Sequence, residues 1–314
     1  EFAAARLAER PEVAAAARRS HGLYFLRFLQ AQRPLLRGGQ QLEALAAVGS
    51  EIRNVRAALV WLWEQDGLET AVAAPAGPAL DALFHFYAMR SWFQEGEAVF
   101  RAAVKWLRRA PQDGDVEALL GQALARQGWM TFLLGRRAAA QALLEAGLAH
   151  ARAAESTADA AFCLNYLGAL AHYEGDQPQA QAALAQSLDL CRAVGDRYAE
   201  AIALNVMGVV SLAQADYAAA RAQLAQSLAL KRTLGDQWGM AFSLANLGAA
   251  AAATGDAAAA RNLIGQSLEI RRAIGDRRGE ALCLRDLAHL AETAGDTAEA
   301  QRLHAAHAAI LQEF

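Results

Sequence analysis

Apolar residues recur at intervals of three and four along most of the chain, the signature of amphipathic helices. Between residues 157 and 196 they fall into two stripes. Phe162, Leu164, Leu167, Leu170 and Ala171 form the first, Ala180, Leu184, Leu188 and Cys191 the second, and Gly175-Asp176 lies between them. Glycine suits the left-handed position just past a helix, and aspartate accepts from the free N–H groups of the next first turn. Gly195-Asp196 repeats this punctuation, and Asp296-Thr-Ala-Glu299 has the spacing of a capping box. The pattern predicts a helix hairpin.

The hairpin then recurs. Gly128, Gly168, Gly208 and Gly248 lie 40 residues apart, with Ala288 in the next place. Leu124, Leu164, Leu204, Leu244 and Leu284 keep the same period, as do Gln186-Ser187-Leu188, Gln226-Ser227-Leu228 and Gln266-Ser267-Leu268. A fixed period of this size means stacked units, each too small to bury its apolar face alone. The glycine column costs helix propensity, so close approach of the paired helix is expected there. The fold expected is an all-α, right-handed superhelical solenoid with five units at 117–156, 157–196, 197–236, 237–276 and 277–314.

The chain before residue 117 is less regular. Residues 1–30 read as helix with a break at Pro11, and Tyr24, Phe25, Phe28 and Leu29 supply its apolar face. Pro34 and Gly38-Gly39 interrupt. A long amphipathic helix follows over 42–65, carrying Leu45, Val48, Ile52, Val55, Leu59 and Leu62 and stopping at Gly67. Pro75 and Pro78 should kink or split the next helix, which resumes over 80–90 with Phe84, Phe86 and Tyr87. Most aromatic residues fall before residue 135, so this portion reads as a bulky helical cap on a slender, Ala-rich solenoid.

Leu164-x-x-Leu167-Gly168, Ala180, Leu184 and Ser187-Leu188 together resemble the tetratricopeptide repeat. The period is 40 rather than the usual length of about 34. The customary Tyr is replaced by Ala171, Ser211 or Ala251, and the late Pro by Arg192, Arg232 or Arg272. These departures resemble the long-helix variant of bacterial STAND-class signal-transduction ATPases and transcriptional regulators. Glu51-Ile-Arg-Asn-Val-Arg-Ala-Ala-Leu is similar to the stretch preceding the repeats in that class, and His21-x-x-Tyr24-Phe25-Leu26 with Pro34 to its connector after a winged helix. Arg90-Ser-Trp92-Phe93-Gln-Glu95-Gly96, with Trp106-Leu107, resembles its irregular first helix pair. The resemblance implies a connector at 1–66 following an upstream winged helix, an irregular helix pair at 67–116, and the repeats from 117 onward. It further implies a sensor domain that holds an adjoining nucleotide-binding domain inactive until a protein or peptide inducer binds, with oligomerisation of the full-length protein on activation. A stand-alone repeat scaffold bridging proteins is the competing expectation.

Composition narrows the chemistry. Six prolines and few β-branched runs favour an all-helical chain, and a net charge of −3 gives no bulk attraction for nucleic acid. No apolar run approaches a membrane span and no secretory signal is present, so the expectation is a cytoplasmic chain with no membrane partner. The first residue is not Met, which suggests a piece of something longer or a processed chain. Three cysteines cannot all pair. Cys163 and Cys283 share a repeat position with Ala123, Ala203 and Ser243, which marks them as small core residues in a reducing compartment. There is no phosphate-binding loop, H-E-x-x-H, C-x-x-C or G-x-S-x-G, so no catalytic site or cofactor is expected in this chain. His304 and His307 fit a solvated helix end better than a metal site without a third ligand.

Two surfaces remain. Arg152, Arg192, Arg232 and Arg272 form a basic ladder that either binds an anion or complements helix C-termini, with Asp196, Asp236 and Asp276 as available partners. The second is the inner face of each first helix, which lines the concave groove in the resembling fold. One position there gives Ala125, Asn165, Asn205, Ala245 and Arg285, and its neighbour gives Arg126, Tyr166, Val206, Asn246 and Asp286. The next turns give Trp129, Ala169, Val209, Ala249 and His289, then Phe132, His172, Leu212, Ala252 and Glu292. Trp129, Asn165, Tyr166, His172, Asn205, Asn246, Arg285 and His289 are the binding candidates, expected on one concave surface. The asparagines either pair with an extended peptide backbone or tie neighbouring units together.

Overall fold

A computed structural model describes residues 10–65, 70–111 and 113–313. Among them are fourteen helices and no strand. The N-terminal four are α1 (Pro11–Leu36), α2 (Gln41–Glu64), α3 (Thr70–Met89) and α4 (Phe93–Leu107). Five hairpins follow: α5 (Gly114–Leu133) with α6 (Arg137–Ala153), α7 (Thr157–Glu174) with α8 (Gln177–Val194), and α9 (Arg197–Ala213) with α10 (Tyr217–Leu234). The last two are α11 (Gln237–Ala253) with α12 (Ala257–Ile274), and α13 (Arg277–Thr293) with α14 (Thr297–Leu311). Each second helix also packs on the first helix of the next unit, which makes the array a helical repeat solenoid. None of these helices is long and apolar enough to cross a membrane.

The punctuation read from the sequence is built as helix caps. Gly175, Gly195, Gly235 and Gly275 are left-handed, and the aspartate after each accepts from first-turn N–H groups. Glu155 and Ala215 occupy the same left-handed turn positions without glycine's freedom. Asp296 accepts from Glu299 N at 3.1 Å, but the Glu299 carboxylate pairs with Arg302, so only half of the capping box forms.

The glycine column is a packing column. A Cβ on Gly208 would lie 2.5 Å from Leu224 Cγ, and one on Gly168 2.7 Å from Leu184 Cγ. The repeated serine has an equally specific role. Ser187, Ser227 and Ser267 are fully buried and donate to the carbonyls of Ala161, Ala201 and Ala241 at 2.9, 2.6 and 2.8 Å. Each of these bonds ties a second helix to the first helix of its own unit.

The N-terminal portion departs from expectation in two ways. Pro75 and Pro78 do not split α3, which is continuous from Thr70 to Met89. Each proline removes a helical hydrogen bond and costs about 3 kcal/mol or more. Burial of Val72, Ala76, Ala79, Leu80 and Leu83 against neighbouring helices offsets that cost. The second departure is one of placement: α1–α4 fold back across the superhelix instead of only capping its end, and α2 touches α12. One apolar cluster therefore runs from Phe25 through α2–α5 to Ile274, with Trp129, Phe162 and Trp238 packed against it. Residues 1–9 and the expected stop at Gly67 lie outside the described residues.

Candidate functional site

The seam between the N-terminal helices and the repeats starts at the cap aspartates. The N-caps of α9, α11 and α13 are Asp196, Asp236 and Asp276, and each is engaged by the N-terminal portion. Arg37 reaches Asp196 at 3.5 Å. Gln41, which is buried, donates to Asp236 Oδ1 at 2.8 Å and to the Leu36 carbonyl at 2.9 Å, while its Oε1 accepts from Trp238 N–H at 2.9 Å. Ser91, held at φ +57°, donates to Asp276 Oδ1 at 3.1 Å. The backbones also meet, since a Cβ on Gly235 would lie 2.7 Å from Gly39 Cα. The 40-residue period thus sets out carboxylates in a row, and two turns of the N-terminal portion take them in order.

Two buried cations support this row from behind. Lys231 and Arg271 occupy equivalent positions, where earlier units have Ala151 and Cys191. Arg271 pairs with Asp276 at 2.6 Å and lies over the Phe242 ring. Lys231 donates to Ser243 Oγ at 3.0 Å. Burial lowers the Lys231 amine to about 8 against the pull of Asp236, and burial raises Asp236 above the usual carboxylate range.

Inside the seam is a polar cavity of about 130 Å³. From α3 come Asp81 and His85, from α1 and its turn Arg33 and Arg37, and from the repeats Arg126, Asp159, Asn165, Tyr166, Tyr198 and Trp238. Asp81 accepts from Arg33 Nε at 2.8 Å and Arg126 Nη2 at 3.0 Å, and Arg126 Nη1 donates to Asp159 at 2.5 Å. Burial opposes ionisation of Asp81, but His85, Arg126, Arg37 and Arg33 outweigh it and hold the carboxyl far below its ordinary range. Burial pushes His85 down to about 4 despite Asp81, so its imidazole is neutral near pH 7. Asn165 Oδ1, Arg126 Nε and Trp238 Nε1 are buried without a hydrogen-bond partner in the protein.

A second cavity, of about 330 Å³, adjoins the first through Trp238. Its walls are Phe93 from α4, Trp129 and Phe132 from α5, Tyr173 from α7, and Trp238 and Phe242 from α11. Arg137, Arg271 and Arg278 line it as well, with Asp276 the single carboxylate. The Trp129 and Trp238 indole N–H groups are buried and lack an acceptor.

The structure disperses the eight sequence candidates. Trp129 stacks on Tyr166 with centroids 4.0 Å apart, and Tyr166 and Asn165 line the polar cavity. His172 sits beside Tyr173 and pairs with Gln177. Asn205 accepts from Ser243 Oγ at 3.0 Å and more weakly from Asn246, a tie between neighbouring units. Arg285 and His289 line a separate hollow with Ala249 and Ala252, where Arg285 pairs with Asp286 and His289 with Glu292. His304 bonds Glu292 and His307 faces the Ala281 carbonyl. In the basic ladder, Arg192 and Arg272 pair with Glu200 and Glu280, eight residues on, because the aspartates four residues on are caps. The residues that sequence reasoning missed left traces. Asp81 and His85 are polar positions one turn apart in an otherwise apolar helix, and Lys231 and Arg271 are charges in a column of small residues.

A family model of the tetratricopeptide repeat matches residues 159–233 and 239–313. No curated protein sequence matches the chain. Solved structures share the fold at low identity. A Rap protein complexed with Competence and Sporulation Factor is 12% identical over 93% of this chain and 77% of its own, with a TM-score of 0.67. The apo form of RapI is 12% identical over 88% and 76%, with a TM-score of 0.50. BtubC from P. vanneervenii is 19% identical over 74% and 92%, also with a TM-score of 0.50. Residues 159–233 and 239–313 thus match tetratricopeptide repeats, within an all-helical solenoid.

Proposed function

We propose that this chain is the ligand-sensing, autoinhibitory repeat domain of a cytoplasmic STAND-type signalling protein, without catalytic activity or a cofactor of its own. The observation that carries this reading is the aromatic cavity at the seam between the N-terminal helices and the repeats. An open scaffold needs a free groove, whereas here the chain's own α1–α4 occupy the inner side and leave two cavities between themselves and the repeats. The helix carrying the connector-like stretch, Glu51 to Leu59 on α2, is also the helix whose first residue, Gln41, grips Asp236. A ligand in the seam therefore acts on the segment that would lead to an upstream nucleotide-binding domain. The Rap protein complexed with Competence and Sporulation Factor supports a bound partner for a fold of this kind.

The test uses the full-length protein. Gln41→Ala should loosen the seam and raise nucleotide hydrolysis severalfold without inducer. Unchanged hydrolysis, or a full-length protein with no phosphate-binding loop upstream, contradicts the sensor and favours the stand-alone scaffold.

A further inference from the structure

We infer that the aromatic seam cavity takes a small aromatic anion: a planar apolar body bearing one carboxylate or phosphate. The inference rests on the sensing role proposed above and names its ligand. Size comes first. A cavity of about 330 Å³ lies at the small end of ligand sites and fits a compact molecule or a single side chain rather than a length of peptide. Its six aromatic rings supply flat apolar walls, suited to a planar body.

Charge comes second. Asp276, the single lining carboxylate, is already taken by Arg271 at 2.6 Å. Arg278 spends one nitrogen on the Leu133 carbonyl at 2.7 Å and lies over the Phe93 ring. Arg137 is exposed at the rim beside Tyr173 and makes no ion pair among the described residues. Two guanidiniums are thus left without a carboxylate. A lining rich in donors and net positive selects an acceptor-bearing anion over a neutral or cationic aromatic.

Isothermal titration of the full chain with 2-naphthoate, 2-naphthyl phosphate and uncharged 2-naphthamide tests this. At least one anion should bind tenfold or more tighter than the amide, and the better of the two identifies the anionic group. Arg137→Gln should remove most of that preference, and Arg278→Gln should weaken the anion several-fold. Circular dichroism and thermal midpoints establish that both variants fold. Equal affinity for amide and anions, saturable binding of none of them, or binding unchanged in both folded variants overturns the inference. An anion that binds with the expected preference yet leaves hydrolysis by the full-length protein unchanged sinks the sensor reading alone. Failure of all three probes beside a response to another inducer sinks the ligand class alone.

Discussion

Gly208→Ala sets two effects of opposite sign against each other. Alanine in a helix interior is favoured over glycine by about 1 kcal/mol. Here the added Cβ would sit 2.5 Å from Leu224 Cγ and 2.7 Å from its Cδ2, with the Ala220 carbonyl at 3.4 Å. Carbon contacts are comfortable at about 3.5–4.0 Å, so Leu224 must retreat by roughly 1 Å. It is fully buried. Overpacking of this kind costs about 1–3 kcal/mol, leaving a net loss of up to about 2 kcal/mol after the propensity gain of about 1 kcal/mol. Gly265→Ala is the matched control. It too is helical, but nothing lies within 4 Å of its added Cβ, so it should stabilise by about 0.5–1 kcal/mol. Urea unfolding followed by far-ultraviolet circular dichroism compares them, with amide exchange in α9 and α10 as the local readout. In a Leu224→Ala background, Gly208→Ala should turn neutral or favourable. If both alanines stabilise alike in the native background, the column is not set by helix contact.

Other substitutions test the turns and the buried charges. Ala215 sits at φ +60°, where the other four units have glycine, so Ala215→Gly should raise stability by about 1 kcal/mol in thermal unfolding. Lys231 loses its proton near pH 8 when folded and near 10.5 when unfolded. Below about pH 8 its burial penalty is therefore fully present, and stability rises as pH climbs from 8 to 10.5. Subtracting the Lys231→Met curve from the native one should expose a rise on the order of 3 kcal/mol across that window, and a flat difference would contradict it. Asp81→Asn leaves Arg33 and Arg126 short of a buried carboxylate and should cost about 3–5 kcal/mol in urea unfolding; a loss below 1 kcal/mol would mean the network carries little stability.

The repeats were legible because one set of contacts recurs every 40 residues. Gly208 against Leu224, Ser227 to the Ala201 carbonyl and Asp236 on Gly239 N each have copies in the array. The seam was not legible, because its contacts join residues almost 200 positions apart, such as Gln41 with Trp238, and occur once. Periodicity also assigned the cap aspartates a local role and gave no sign that a distant turn would share them. Propensity misjudged α3 because tertiary burial outweighs two prolines. The groove candidates scattered for a related reason: the inner surface is largely covered by the chain itself, so residues at equivalent repeat positions meet different neighbours. Asn165 faces the N-terminal helices across a cavity, whereas Asn205 meets the next unit.

The docking of α1–α4 onto the repeats is tested most directly at the backbone amide of Trp238. First-turn amides have no acceptor within their own helix and ordinarily exchange fast. This one donates to the Gln41 side chain, 197 residues away, at 2.9 Å. Residue-resolved hydrogen exchange should find it protected in the native chain and released in Gln41→Ala, while the Tyr198 amide, bonded to its own cap Asp196, is unchanged. Fast exchange at Trp238 in the native chain, or protection that survives Gln41→Ala, would contradict the docked arrangement.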